Sequence, residues 1–600
     1  MPTGKAGPLP HTPAQTTGRL WFLLSLGFVA VARLVGLEAD PPAIMPDPTI
    51  MDEGLWADSA RGRTLFGGDG PGPRGYFADD LGNSYLIAPL YTWLLTAVYW
   101  VFGVGLWQTR LLAALMSIGT AALAGSFVAR RSNYHYGTLC VLVMGVCPLL
   151  DQHGRFALLE SSQAFFLMAS FTLLFPLRPS MRKALLAGAA MGAAMLIKPN
   201  SLNFGVVPFA LAFGVSWFYE ARERHAGTHA RRLRQGLCIT LGGGLVIAIP
   251  MLLVWLPHWD EFLLTVTYES GGANWFLSDH LLRLGLAGSR ESVPGQQHLC
   301  ALVRHAPLIT AALWLLLARR LAGRTWQSWA GERELWIWAF SALLLAETSY
   351  DHVSRRQVLF VTPMAILAVQ CWRSRKDAQL QRPSDANAPS NLLARYLGWL
   401  LLLAPVLIVL KPRLANLVGP MLSMSQTAPG NNYAAGLLVL GGALALPLVP
   451  AMLGSGPQAL LLWLARRGPL LLPVLFAYEA ARLGAWPPHD YTIREAQQQL
   501  QGLVEDDEIV LGQHASVMFS SLPVQTVRRV IPGRQYSTPR PNPEVAERLR
   551  PRYVLDYADA QLRQFADVTR HGFVPIGPRV GYLREPSGEF RFVLQLWERR

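Results

Sequence analysis

The feature that most constrains this chain is the recurrence of long apolar runs. Stretches approaching the ~20 residues that cross a bilayer as a helix return again and again between residues 19 and 486. A backbone in lipid must satisfy its own N–H and C=O groups, so a chain patterned this way folds as a helix bundle. Only 15% of the residues are charged and 51% are hydrophobic, whereas soluble chains carry about 25% charge. The first run, "RLWFLLSLGFVAVARLVGL" (19–37), is too long for a signal-peptide core and lacks a small-residue cleavage site. It reads as an uncleaved span. The expected class is an α-helical polytopic membrane protein.

The formal net charge of +14 does not indicate a nucleic-acid partner, because the Arg and Lys concentrate in short loops such as "RERHAGTHARRLRQ" (222–235) and "WRSRK" (372–376). Short basic loops mark the cytoplasmic side. Placing them inside gives a cytoplasmic N-terminus over 1–19, a membrane domain over 20–486 and about 13 transmembrane helices. In this topology "SYLIAPLYTWLLTAVYWVFG" (84–103) lies along the outer interface as an aromatic-rich helix. Outer segments then include 39–108, 151–160, 198–201 and the long stretch 257–305. Bacterial inner membrane is the simplest address.

Residues 487–600 change character. Polar helical text ("TIREAQQQLQGLVEDDE") alternates with strand-like runs ("EIVLGQ", "RYVLDY", "FRFVLQLW") and turn signals. A small soluble α/β domain on the outer, periplasmic face is expected. The five cysteines, Cys140, Cys147, Cys238, Cys300 and Cys371, are scattered and form neither a disulfide framework nor a metal-ligand spacing.

On this topology the outer polar residues form a short list: the adjacent Asp52 and Glu53, then Asp151, His153, Arg155 and Glu160, then Lys198, Tyr268 and Glu269, and finally Asp351, His352, Arg355 and Arg356. Each has an ordinary structural explanation. Asp52 or Glu53 could cap a helix opening at "DEGLWADSAR", Arg155 and Glu160 could pair, and Lys198 could snorkel. His153 could be a loop histidine, and Arg355 and Arg356 interfacial anchors. Together, carboxylates and cations from separate outer loops suit a negatively charged, lipid-linked substrate. The cations would hold its phosphate while a carboxylate accepts a proton from an attacking hydroxyl.

The ordered set "DEGLWADSAR", "APLYTWLLTAVYWVFG", "RLLAAL" and "GRFALLESSQAFFL" resembles the GT-C membrane glycosyltransferases, in particular bacterial protein O-mannosyltransferases and the lipid A aminoarabinose transferases. The resemblance covers about residues 20–375 and is densest over 50–175. It implies a GT-C type bundle, a polyprenyl-phosphate sugar donor and an inverting transfer on the outer face to an acceptor lipid, glycan or protein. It also implies Asp52 as the catalytic carboxylate with Glu53 beside it, an Arg155-plus-Glu160 element in the second loop, and Arg356 as a phosphate contact. Relatives carry Lys-Pro-Pro where this chain reads "IAPLY", so phosphate binding would shift to Lys198 or Arg356. The expected partners are the donor, the acceptor and membrane lipids, with no nucleic acid, and a divalent cation is the one cofactor left open. The competing class is a transporter or flippase of lipid-linked glycans. That class calls for charges near the bilayer midplane and for repeats, whereas here the acids gather at one face and no repeat is evident.

Overall fold

The computed structural model describes residues 13–40, 48–67, 86, 88–175, 180–222, 228–257, 259, 262, 306–323, 332–347, 356–372, 472–484, 491–506, 508–512, 515–519, 525–527, 551–558, 572–584 and 590–599. The chain divides into two compact units, one comprising 26–123, 150–276 and 485–600, the other 1–25, 124–149 and 277–484.

The helices are α1 (Pro13–Leu34), α2 (Pro48–Phe66), α3 (Pro89–Phe102), α4 (Leu106–Arg131), α5 (Tyr134–Val146), α6 (Pro148–Arg155), α7 (Leu159–Leu174) and α8 (Met181–Ile197). A π-turn at Leu202–Val206 leads into α9 (Val207–Arg222), and α10 (Thr228–Pro250) runs on as a π-turn over Met251–Trp255. Then come α11 (Pro307–Gly323), α12 (Glu332–Glu347), α13 (Gln357–Ala368), α14 (Leu472–Gly484) and α15 (Thr492–Leu500).

Among the described residues, four helices are long and apolar enough to cross a membrane: Thr16–Leu34, Leu106–Arg131, Phe204–Ala221 and His229–Trp255. The α5–α6 pair, bent by 68°, makes a fifth if it counts as one span. Several spans of the expected thirteen fall on 373–471, outside the described residues. Helix α10 exposes Leu233, Leu237, Leu241 and Leu245, a ridge repeating every four residues that a lipid face tolerates and water does not. Helix α3 has only 14 residues, with Tyr91, Leu95 and Tyr99 buried; a straight crossing needs ~20.

Part of the stretch expected to be the second outer loop is helical instead. Cys147 is extended, and Pro148 opens α6 directly after it. Proline is pre-organised for a first helical turn, where its missing N–H matters least. The chain thus turns sharply and delivers Asp151, His153 and Arg155 on a short helix.

In the first unit α8 and α10 meet through small residues. A Cβ at Gly188 would strike the carbonyl oxygen of Ile239, and one at Gly242 would strike that of Leu185. Gly188 and Gly192 are four residues apart, the spacing by which small side chains let helix backbones approach closely in membranes. This seam fixes α8, whose C-terminal end carries Lys198.

The C-terminal segment of the same unit builds a five-stranded sheet from β1 (Ile509–Leu511), β2 (Gln525–Val527), β3 (Tyr553–Tyr557), β4 (Phe573–Arg584) and β5 (Phe590–Arg599), in the order β2-β1-β3-β5-β4. β1 pairs in parallel with β2 and β3, and the β3–β5 and β5–β4 pairs are antiparallel. Ile493 and Leu500 of α15, Phe519 after α16 (Ala515–Met518), and Leu555, Leu594 and Leu596 of the sheet form one core, which also takes in Leu106 from the start of α4.

Two further ties reach back from this segment. Arg61 of α2 donates from Nη1 to the Phe519 carbonyl at 2.8 Å. Tyr491, at the N-cap of α15, supplies no side-chain cap; Asp40 does so from a distance. Its carboxylate accepts from the backbone N–H of Thr492 at 2.9 Å, from that of Ile493 at 3.0 Å, and from the Thr492 hydroxyl.

In the second unit, Val141 and the Gly137 carbonyl pack against Gly125, with Phe22 beside them. Buried Glu479 of α14 accepts from the Leu308 N–H of α11 at 2.8 Å.

Three outcomes follow. Gly188→Val drives methyl groups into the α10 backbone and should destabilise the protein by about 1–3 kcal/mol or more, read as a lower unfolding midpoint in detergent. Gly236→Ala on α10, with nothing within 4 Å of its added Cβ, should leave that midpoint unchanged. Burial raises the Asp40 pKa above its ordinary 3.8, outweighing the hydrogen bonds from Thr492 and Ile493 that lower it. A raised carboxylate pKa means that the folded state favours the proton, so this contribution is full below 3.8 and is lost as pH rises through the folded value. Unfolding midpoints followed from about pH 4 upward should therefore fall more steeply for wild type than for Asp40→Asn.

Candidate active site around the acidic pair

The acidic pair lies inside a helix. Helix α2 starts at Pro48, so Glu53 sits in its second turn and does not cap it, contrary to the capping expectation. Glu53 is 2% exposed and fully engaged. Arg110 of α4 grips it with both sides of the guanidinium, Nε to Oε1 at 2.7 Å and Nη2 to Oε2 at 2.8 Å. The Ala157 N–H adds a third bond to Oε1 at 3.0 Å. Arg110 Nη1 donates to the carbonyls of Leu37 and Ala39 at 2.7 and 2.6 Å, and the Phe156 ring lies 4.8 Å from its guanidinium carbon. One bidentate pair thus ties α2, α4, the segment after α1 and the segment before α7 together.

A second buried pair, Arg33 with Asp151, joins α1 to α6, and Arg33 Nε also reaches Ser117 Oγ at 3.3 Å. Arg155 does not pair with Glu160. Its Nη2 donates to the carbonyls of Val35 and Gly36 at 2.8 and 2.6 Å. Gly36 adopts φ 64°, a left-handed turn in which a Cβ is disfavoured. The other guanidinium nitrogens of Arg155 make no hydrogen bond among the described residues.

Glu160 pairs with Lys198. Nζ lies 2.6 Å from Oε1, with the Glu160 side chain 1% and the Lys198 side chain 13% exposed. Glu160 occupies the first turn of α7, where the helix dipole favours an anion. Lys198 is the C-cap residue of α8, where the dipole favours a cation. Trp56, one helical turn beyond Glu53, places its ring 6.0 Å from Lys198 Nζ. It packs in one core with Tyr91 and Tyr99 of α3, Leu159 of α7 and Ile197 of α8.

Four of the residues singled out from sequence, Glu53, Arg155, Glu160 and Lys198, therefore fall in one unit, at the adjoining ends of α2, α6, α7 and α8. Asp52 is on α2, with its side chain outside the described residues. Tyr268 and Arg355 are outside them too, and of the long segment 257–305 only 257, 259 and 262 are described. Arg356 stands at the N-cap of α13 in the other unit. Sequence reasoning missed Arg110 and Arg33. Arg110 does have a signal, as a charge heading the apolar run "RLLAAL": a cation among apolar residues in a membrane chain needs a partner. Among the described residues, no group of three or more His, Cys, Asp or Glu is placed to hold a metal ion.

Chemically, the site offers one carboxylate locked for structure (Glu53), one ammonium that can exchange a carboxylate for a phosphate oxygen (Lys198), and an aromatic wall (Trp56).

Residues 87–230 match the family model of the dolichyl-phosphate-mannose-protein mannosyltransferases. That interval contains Arg110, Arg155, Glu160 and Lys198 and leaves out the acidic pair. Among solved structures, the chain is similar to ArnT from Cupriavidus metallidurans in its apo state, at 18% identity and TM-score 0.51 over 97% of this chain and 98% of that one. The same protein bound to undecaprenyl phosphate gives 18% and 0.50 over the same shares. The archaeal oligosaccharyltransferase AglB from Archaeoglobus fulgidus, in complex with an inhibitory peptide and a dolichol-phosphate, is more distant, at 12% identity and TM-score 0.42 over 96% of this chain and 74% of that chain. Comparison with curated protein sequences gives no match. The chain shares its fold with ArnT, and residues 87–230 carry the pattern of the dolichyl-phosphate-mannose-protein mannosyltransferase family.

Proposed function

We propose that this protein is a membrane glycosyltransferase that moves a sugar from a polyprenyl-phosphate donor to an acceptor hydroxyl at the periplasmic face, with inversion. The observation that carries the proposal is the convergence, beside Asp52 on α2, of a locked carboxylate (Glu53 with Arg110) and an exchangeable one (Glu160 with Lys198). The family pattern over 87–230 and the fold shared with a protein solved with undecaprenyl phosphate support the donor class.

In this mechanism Asp52 is the general base. Glu53 does not serve, because both of its oxygens are already held, by the Arg110 guanidinium and the Ala157 N–H. Its work is to hold α2 in place. The acceptor oxygen loses its proton to Asp52 and attacks the anomeric carbon opposite the phosphate. The C–O bond to the phosphate breaks, and polyprenyl phosphate leaves. Lys198 and the Arg155 guanidinium stabilise the charge that develops on the departing oxygen.

Purified protein incubated with radiolabelled polyprenyl-phosphate sugars and candidate acceptors tests the reading. Wild type should release polyprenyl phosphate. Asp52→Asn should lose about 10²–10⁴-fold of that turnover while keeping its unfolding midpoint. Arg110→Met should instead unfold readily, because losing one partner of a buried pair costs about 3–5 kcal/mol. Near-normal turnover by Asp52→Asn would take the base role from Asp52.

A further inference from the structure

Glu160 and Gln163 are three residues apart on α7, so they share a face and sit ~4.5 Å apart along the axis. Both meet the turn that follows α8. The first rung is Lys198 with Glu160 at 2.6 Å. On the next, Gln163 Nε2 donates to Asn200 Oδ1 at 2.9 Å and to Ser201 Oγ at 2.6 Å. The mechanism above uses the charged rung and leaves the neutral one idle.

The orientation of the neutral rung is fixed by a third residue. Ser201 Oγ donates its one proton to the Ala194 carbonyl at 2.7 Å, so toward Gln163 it can only accept. Gln163 must therefore present its NH2 to Ser201, and its oxygen points elsewhere. That leaves Gln163 Oε1, an acceptor, and Asn200 Nδ2, a donor. Both atoms are buried and neither has a hydrogen-bond partner. Gln163 and Ser201 are 0% exposed. Unpaired buried polar atoms call for an explanation, and polar side chains inside a membrane bundle mark functional positions.

The chemistry of the two free atoms selects the ligand. An anion would be repelled by the Gln163 oxygen, and a cation by the Asn200 NH2. A neutral group that both donates and accepts satisfies the two together, and a hydroxyl does this with one oxygen. We propose that Gln163 and Asn200 form a sugar-hydroxyl subsite, one helical turn from the Lys198–Glu160 rung, that sets which sugar is transferred. The inference rests on the glycosyltransferase reading and adds to it a division of the donor: phosphate at the charged rung, a sugar hydroxyl at the neutral one.

The test uses the full-length protein and a panel of polyprenyl-phosphate hexoses: the fully hydroxylated sugar, its monodeoxy analogues, and analogues with an amine at the same positions. Gln163→Leu should lower kcat/KM for the fully hydroxylated donor by about 10–100-fold and leave one monodeoxy analogue, the one lacking the hydroxyl in question, at its wild-type rate. Asn200→Asp keeps the oxygen that accepts from Gln163 and replaces the free donor with an acceptor. It should move the preference toward the amine-bearing analogue, and it decides the matter alone if Gln163→Leu does not fold. An equal fall across the whole panel in the folded variants would overturn the subsite while leaving the glycosyltransferase reading in place. Wild type that turns over no member of the panel with any acceptor would overturn both.

Discussion

The structure around the site depends on keeping one pair of opposite charges away from water. Glu53 and Arg110 are both buried, and each is satisfied beyond the pair itself, Arg110 by two backbone carbonyls and Glu53 by a backbone N–H. Such a pair contributes modest net stability, because desolvation offsets its attraction. Its value is geometric. A bidentate guanidinium–carboxylate contact fixes angle as well as distance, so α2 cannot rotate or slide against α4 without stranding a charge. Trp56 meets Lys198 because Glu53, one turn earlier, is held.

A second constraint acts from below. The cation at the end of α8 can meet Glu160 only if α8 lies at the right depth, and backbone contact at Gly188 and Gly242 sets that depth. Tight small-residue packing is the usual way to hold helices together where lipid removes any hydrophobic gain from association. Thus glycines with no chemistry of their own support the position of a lysine at the site. The amide rung of Gln163, Asn200 and Ser201 hangs from the same turn and inherits its precision.

The sequence made some of this readable and concealed the rest for physical reasons. Hydrophobic run length identifies membrane helices because lipid imposes a length and forbids unpaired backbone. The runs "EIVLGQ", "RYVLDY" and "FRFVLQLW" do become β1, β3 and β5. β4 was hidden by its Pro575, Gly577 and Pro578, which suggest a turn; it is an edge strand with an irregularity between Ile576 and Val580, where proline is tolerated. Glu160, Arg155 and Lys198 stood out as polar residues flanking apolar runs, but their partners did not. Local sequence offers Glu160 the nearby Arg155, five residues away, whereas it pairs with Lys198, 38 residues away. Pairing is decided by which helix ends meet, and local sequence does not record that. Arg110 was overlooked because it heads an apolar motif whose bulk disguised its charge.

The distant cap on α15 bears on the order in which the molecule is put together. Asp40 and Thr492 are 452 positions apart, so during synthesis Asp40 is made long before the helix start it will satisfy. Until then Asp40 has an open coordination site, and no earlier helix supplies the paired Thr492 and Ile493 amides it finally accepts. When α15 emerges, it comes without a side-chain cap of its own and gains one only against a membrane portion whose first loop is already in place. The C-terminal segment thus completes its own leading helix by docking, which couples its folding to the correct folding of residues near Asp40.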